Sequence, residues 1–248
     1  MSEMHHVRTS ETGQPQMAAA RPADVAIWTM RLDQPDTEIA RLERLLDDHE
    51  RDRVGSFAYA DDQRRFMVAH GGLRLVLAHH LAGPPSLPLA IGRHGKPHVA
   101  VRGSRLEFSL AHAGELALIG VGDGIAVGVD LEPVRHLPDL AALAGHVLSP
   151  AEAATLARLP PDRHALAFFT FWTRKEAVLK ACGLGLSVEP ATITVGLHRY
   201  RMSDRRLGTW HVRNIEPAPG YVGAVAASDK FCCIVHQADA MLDPALPE

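Results

Sequence analysis

Two segments of this sequence carry residues whose types and spacing could do chemistry. Trp172, Glu176 and Lys180 stand four apart, so on a helix they lie along one side and can all face one cleft. Phe168 and Phe171 would anchor that helix in a core. A carboxylate between a bulky aromatic and an ammonium group is either half of a structural ion pair with Lys180 or a working acid or base. The second segment, Ile125 to Pro133, reads as a strand with Val127, Val129 and Leu131 on one face and Gly128, Asp130 and Glu132 on the other. Carboxylates at that separation, about 6 to 7 Å, repel by roughly 2 to 3 kcal/mol at an effective dielectric near 20. A cation would relieve this, and oxygen donors without histidine or thiolate suit magnesium or calcium better than zinc. An exposed edge strand would tolerate both acids as well. His112 ends another strand, where a histidine is a solvated turn residue or a functional one, and Arg51, Arg53, Arg64 and Arg65 form a basic cluster.

The elements that must position these groups follow from periodicity. Residues 25–30 predict a strand, and Ile39, Leu42 and Leu45 a helix from about Asp36, capped by Asp36 or Thr37. Phe66, Ala69, Leu73, Val76 and Leu77 mark a second helix, stopped by Gly83-Pro84. Gly71-Gly72 inside it costs roughly 1 kcal/mol each relative to alanine, which points to close packing or a bound ligand. Gly92 to Pro97 is turn chemistry ahead of a strand through Val99 and Val101. Leu106, Phe108 and Leu110 alternate with Glu107, Ser109 and Ala111, turn at His112-Ala113-Gly114 and return through Leu116 to Val121. Ser149-Pro150-Ala151-Glu152 is a capping box opening a helix to about Leu159. Asp162 is expected to cap the Glu176 helix, which ends at Gly183; strands follow around 193–195, 209–215, 221–226 and 231–235. This pattern predicts an α+β chain of two halves, each with helices packed on a small, mostly antiparallel sheet. The division is a disordered tail at 1–22, halves at 23–124 and 125–240, and a short tail at 241–248.

Composition narrows the class. The chain has 248 residues, 46% hydrophobic and 22% charged, enough for a sizeable core. A net charge of -3 gives no basic field for general nucleic-acid binding. The first 22 residues resemble neither a signal peptide nor a membrane span, and His5 and His6 within them read as solvated. Three cysteines without metal-ligand spacing fit a reducing cytoplasm.

Taken in order, Gly95-Lys96-Pro97, Phe108 to His112, Gly128 to Glu132, and Trp172 to Glu176 with Lys180 resemble the motifs of the Sfp-type 4'-phosphopantetheinyl transferases. The resemblance covers nearly the whole chain after the tail. It implies two similar α+β halves with the active site between them. It also implies transfer of the phosphopantetheine arm of coenzyme A to a serine hydroxyl of an apo acyl or peptidyl carrier protein, releasing adenosine 3',5'-bisphosphate. Asp130, Glu132 and Glu176 would then hold Mg2+, with Mn2+ as a substitute, and Glu176 would double as general base. Lys180 would contact the diphosphate, with Lys175 as a further compensating cation. Lys96 and Pro97 would line the adenine side, His112 would meet the phosphates, and Arg53 and Arg65 would clamp the 3'-phosphate. Trp172 is assigned to packing. The family often has a basic residue where this chain has Glu50, a gap the adjacent Arg51 could fill, and a serine where it has Ala111. Those departures motivate a second reading, a non-catalytic coenzyme A or nucleotide-binding protein; a metal-dependent phosphoester hydrolase needs only the acids and a water. The expected protein is a cytoplasmic monomer with no nucleic-acid or membrane partner.

Overall fold

Alternation of apolar and polar residues in the first half produces β4 (Leu106–Ala113), nearly unbroken apolar runs produce the more deeply buried β1 (Ala23–Arg31) and β5 (Leu116–Asp123), and the helices are α1 (Asp36–Glu43), α2 (Asp48–Gly55) and α3 (Ala60–Leu81), with a small hairpin of β2 (Leu89–Ile91) and β3 (Pro97–Val99). The second half contributes β6 (Val127–Pro133), α4 (Leu140–Val147), α5 (Pro150–Leu156), α6 (His164–Cys182), β7 (Arg201–Asp204), β8 (Gly208–Ile215), β9 (Tyr221–Ala227) and β10 (Phe231–Gln237). The structure, a computed structural model, describes residues 23–92, 94–198 and 200–242, so the tail expected at 1–22 and residues 243–248 of the tail expected at 241–248 lie outside the described residues. Met241 and Leu242 end a 3-10 turn, Ala238–Leu242, with Met241 packed against the first-half core.

The strands form two four-stranded sheets, ordered β10-β1-β5-β4 and β6-β9-β8-β7. Their inner faces meet in a core that includes Val25, Ile27 and Leu118 from the first sheet and Val127, Val129 and Leu131 from the second. The outer faces are covered by α3 and by α6. At the seam the Ser109 hydroxyl on β4 accepts a hydrogen bond from the Val129 N–H on β6 at 3.1 Å. Gly71-Gly72 proves to be a packing device: a Cβ on Gly71 would stand 2.6 Å from the Leu42 Cβ, and one on Gly72 would overlap Met30.

Several local expectations change. β10, assigned to the second half, pairs in parallel with β1 from Ala23↔Phe231 to Thr29↔Gln237. Burial decides this, since Phe231 is fully enclosed in the core between the sheets. Residues 193–195 form no strand, because the Val195 N–H donates to the Glu152 carboxylate at 2.8 Å instead of a sheet partner. α6 starts after a 3-10 turn at Pro161–Arg163 and α1 after Pro35, in both cases without the side-chain caps expected of Asp162, Asp36 or Thr37. α2 carries its own capping box, Asp47 with Glu50, and α4 is a further helix between β6 and α5.

Candidate active site

The site begins with a missing side chain. A Cβ on Gly128 of β6 would overlap the Ala177 carbonyl oxygen and the Ala181 amide nitrogen of α6. The helix therefore lies with its backbone directly on the strand. Most of its middle is buried, but Trp172, Glu176 and Lys180 form a half-buried stripe, as a four-residue spacing requires. Gly183, in the left-handed conformation at φ +70°, closes the helix.

The stripe meets the acids of β6. The Lys180 ammonium donates to Asp130 Oδ1 at 2.6 Å, so its ion-pair partner is Asp130 and not Glu176. Asp130 is 7% exposed, which excludes the open edge-strand reading for this acid. Burial pushes its carboxyl up to about 7 against the pull of Lys180, with the charges of Glu176 and Glu132 adding to the rise. Burial also raises Glu176, opposed by Lys180 and reinforced by Glu132. Asp130 Oδ2 and Glu176 Oε1 are buried with no hydrogen-bond partner, and Glu132 pairs with Arg135 at 3.2 Å. Mutually repelling hard oxygen donors, two of them unsatisfied, fit a magnesium ion. Among the described residues no trio of acidic, imidazole or thiol groups is already gathered at ligating distance, so Lys180 would have to release Asp130 to an entering cation.

The first half supplies cations. A crevice is lined by Phe57, Asp62, Arg65, His112, Ala113 and Gly114, with the Arg53 guanidinium 5.2 Å from the centre of the Phe57 ring. Arg65 pairs with Glu115 at 2.6 Å and Asp62 at 3.5 Å. Crowding by protein, followed by His70, Lys180 and Arg65, pushes His112 down to about 4, although the residue keeps an exposed face at the rim. Nearby lies a cavity of about 290 Å3 whose walls include His70, Leu73, Lys96, Pro97, Phe108 and Lys180. Lys96 donates to the carbonyls of Val127 and Ala181, both at 3.2 Å. Its stem thus lines the cavity while its ammonium stitches the two halves together. Arg65 and His112 share the crevice, Arg53 stands beside it against Phe57, Lys96, Pro97 and Lys180 share the cavity, and Lys180 reaches the acids.

Lys175 does not join them. One residue on from Arg174 and one before Glu176, it points about 100° away from the stripe and is fully buried. Its ammonium binds Glu152 at 2.6 Å and the carbonyls of Pro190 and Ile193 at 2.8 and 2.5 Å. The expectation that Lys175 contacts coenzyme A is therefore corrected: it is the core partner of Glu152, itself 2% exposed. Lys175→Met is expected to lower the unfolding free energy by about 3 to 5 kcal/mol, since Glu152 would remain charged and buried. An unchanged urea midpoint would contradict this.

His70 was not anticipated. It follows Phe66 by one helical turn, stacks on that ring at 3.8 Å, and holds Glu50 through Nδ1 at 3.1 Å. Glu50 is 6% exposed and also binds Arg74 at 2.7 Å. Burial raises its carboxyl, but His70, the Asp47 N–H and Arg74 together hold it below the ordinary value. Its charge is neutralised inside the first half. Arg51, the suggested replacement cation, pairs with Asp48 at 3.0 Å in solvent, and Ala111 is buried among the side chains that join the halves.

The raised Asp130 has a consequence for stability. Between its ordinary value of 3.8 and about 7 the folded chain holds a proton that the unfolded chain has lost, so this group's contribution falls as pH rises through that window. Metal-free protein is expected to lose thermal stability from pH 5 to pH 8 relative to Asp130→Asn. Magnesium added at pH 8 should restore it in the parent and not in Asp130→Asn, as read by thermal denaturation; equal pH profiles for the two proteins would contradict the assignment.

The two-sheet α+β fold thus carries three acids beside a cation-lined cleft, and comparison with known proteins gives the family. A family model described as the 4'-phosphopantetheinyl transferase superfamily matches residues 126–226. The 4'-phosphopantetheinyl transferase HetI of Nostoc sp. is 35% identical over 167 residues, covering 66% of this chain and 70% of that relative. A putative 4'-phosphopantetheinyl transferase of Synechocystis sp. is 34% identical over 65% of each chain. A 4'-phosphopantetheinyl transferase of Bacillus subtilis is 24% identical over 69% of this chain and 76% of its own. The chain belongs to the 4'-phosphopantetheinyl transferase superfamily.

Proposed function

We propose that this chain transfers the 4'-phosphopantetheine arm of coenzyme A to a serine hydroxyl of an apo acyl or peptidyl carrier protein. One observation carries the reading to this site: Asp130 and Glu176 each bury an unsatisfied carboxylate oxygen where Lys180 links them to the cation-lined cleft.

The Arg53, Arg65 and His112 side chains take the phosphates of coenzyme A, and the cavity bounded by Lys96, Pro97, Leu73 and Phe108 takes the adenine. His112, held neutral above its lowered pKa, serves as a hydrogen-bond partner without bringing a further charge. Lys180 turns from Asp130 to the diphosphate, a charge-assisted contact that an ammonium makes as a point charge. Asp130, Glu132 and Glu176 would hold magnesium, with manganese as a substitute, and the ion when bound neutralises diphosphate oxygens that otherwise repel a nucleophile. Glu176 accepts the serine proton as the oxygen attacks phosphorus. Its raised pKa makes it a stronger base than an ordinary carboxylate. The new P–O bond joins serine to phosphopantetheine; the bond that breaks lies within the diphosphate, and adenosine 3',5'-bisphosphate leaves. We assign the protein to the cytoplasm, which three free cysteines support, and assign it as a monomer. Among the described residues no helix is long and apolar enough to cross a membrane.

Incubation with coenzyme A, magnesium and a panel of apo acyl and peptidyl carriers tests the proposal. Mass spectrometry is expected to show one phosphopantetheine added to at least one carrier. No addition to any member would overturn it, and phosphopantetheine released without an acceptor would identify a hydrolase instead.

A further inference from the structure

We propose that Tyr221 is a positioning residue for the coenzyme A clamp: standing on the second sheet, it fixes the β4–β5 turn and thereby sets Arg65 and His112 against the acid strand. The inference rests on the reading of the cleft given above.

Tyr221 opens β9 opposite Pro133 of β6, one ladder position from the pair Glu132↔Val222. Its base is held on both sides, by its own N–H to the Ala218 carbonyl at 3.0 Å and by the Val134 N–H to the Gly220 carbonyl at 2.8 Å. The phenol reaches across to the first half, where its oxygen accepts the Glu115 N–H at 3.2 Å. The turn lies directly on the phenol, since a Cβ on Gly114 would stand 2.5 Å from that oxygen. Gly114 also adopts φ +55°, a conformation glycine enters without steric cost.

Both ends of the turn carry clamp residues. His112 lies two residues before Gly114 on β4, and the Glu115 carboxylate holds Arg65 at 2.6 Å. A continuous set of contacts therefore runs from the strand of Asp130 and Glu132 through Tyr221 to the turn, and from the turn to His112 and Arg65. Ser109 ties the halves along the strands and Lys96 ties them beside the end of α6; Tyr221 ties them at the turn. Removing the phenol oxygen frees the Glu115 N–H and the turn above it, and with the turn the groups that bind coenzyme A.

The test is Tyr221→Phe, which keeps the ring and removes the acceptor. The KM for coenzyme A is expected to rise by about threefold to tenfold, the range of a lost neutral hydrogen bond. The expected kcat and carrier KM stay within about twofold. In an Arg65→Ala background the same substitution should add little, because part of the clamp it positions is gone. An unchanged KM for coenzyme A overturns the proposal, as does an effect that multiplies fully with that of Arg65→Ala or a fall in melting temperature at normal KM. Calorimetric titration of both forms with adenosine 3',5'-bisphosphate separates this from the functional reading. Weaker binding by Tyr221→Phe supports the tether even if the parent transfers nothing, and equal binding overturns it.

Discussion

Glu176→Gln should leave coenzyme A bound and reduce transfer to a carrier by about a thousandfold, within the range for loss of a general base. The substitution is nearly isosteric and stands apart from the residues proposed to hold adenosine and its phosphates, so calorimetry should find coenzyme A affinity within a few-fold of the parent. Stability should not fall. The Glu176 carboxyl is raised above its ordinary value by burial and by Glu132, so its ionised form costs stability at pH 8 and a neutral amide relieves that cost. In the parent, the rate should climb with pH above the ordinary carboxylate range, with an apparent pKa that belongs to Asp130 and Glu176 jointly. A normal rate in Glu176→Gln would remove the base assignment. Lost coenzyme A affinity together with a lower melting temperature would return Glu176 to a structural role.

The second large effect is expected at a residue with no functional group. Gly128→Ala introduces a Cβ that would overlap backbone atoms of α6, at Ala177 and Ala181. Backbone cannot rotate aside as a long side chain can, so the helix must move off the strand. The expected cost is about 3 kcal/mol of unfolding free energy, the upper part of the usual range for overpacking. The folded fraction should also lose more than about tenfold in transfer rate, because Glu176 and Lys180 would move with the helix away from Asp130. Gly145→Ala in α4 is the control. Nothing lies within 4 Å of a Cβ there, and alanine in a helix interior should stabilise by up to about 1 kcal/mol. Denaturant titration of both variants decides the matter: equal stabilities would mean that β6 and α6 are not in backbone contact.

These two residues also mark the boundary between what was legible and what was not. Glu176 could be read because its neighbours on the stripe recur at the helical period. Asp130 and Glu132 could be read because alternation along a strand puts them on one face. The β4–β5 hairpin and the Gly183 helix end were legible for the same local reason, although the turn falls at Gly114 and Glu115 while His112 still pairs with Ala117 inside β4. Gly128 was visible only as a member of the acid face; that it admits a helix backbone depends on a contact with residues about fifty positions later. His70 looked like one more residue beside a buried stripe, and Tyr221 like the start of a strand.

By itself, then, the sequence determined the acid and lysine stripe, the strand that carries the paired acids, the hairpin that carries His112, and the α+β class. All follow from periods of two or 3.6 residues, which are properties of the local backbone. Tertiary structure decided the rest. It sent Lys175 into the core with Glu152 and turned Glu50 inward to Arg74 and His70. It gave β10 to the first sheet and set Tyr221 beneath the β4–β5 turn. Periodicity fixes the angle between neighbouring side chains but not which direction is buried, and a charge one position along a helix faces water or core according to what the distant chain packs against it.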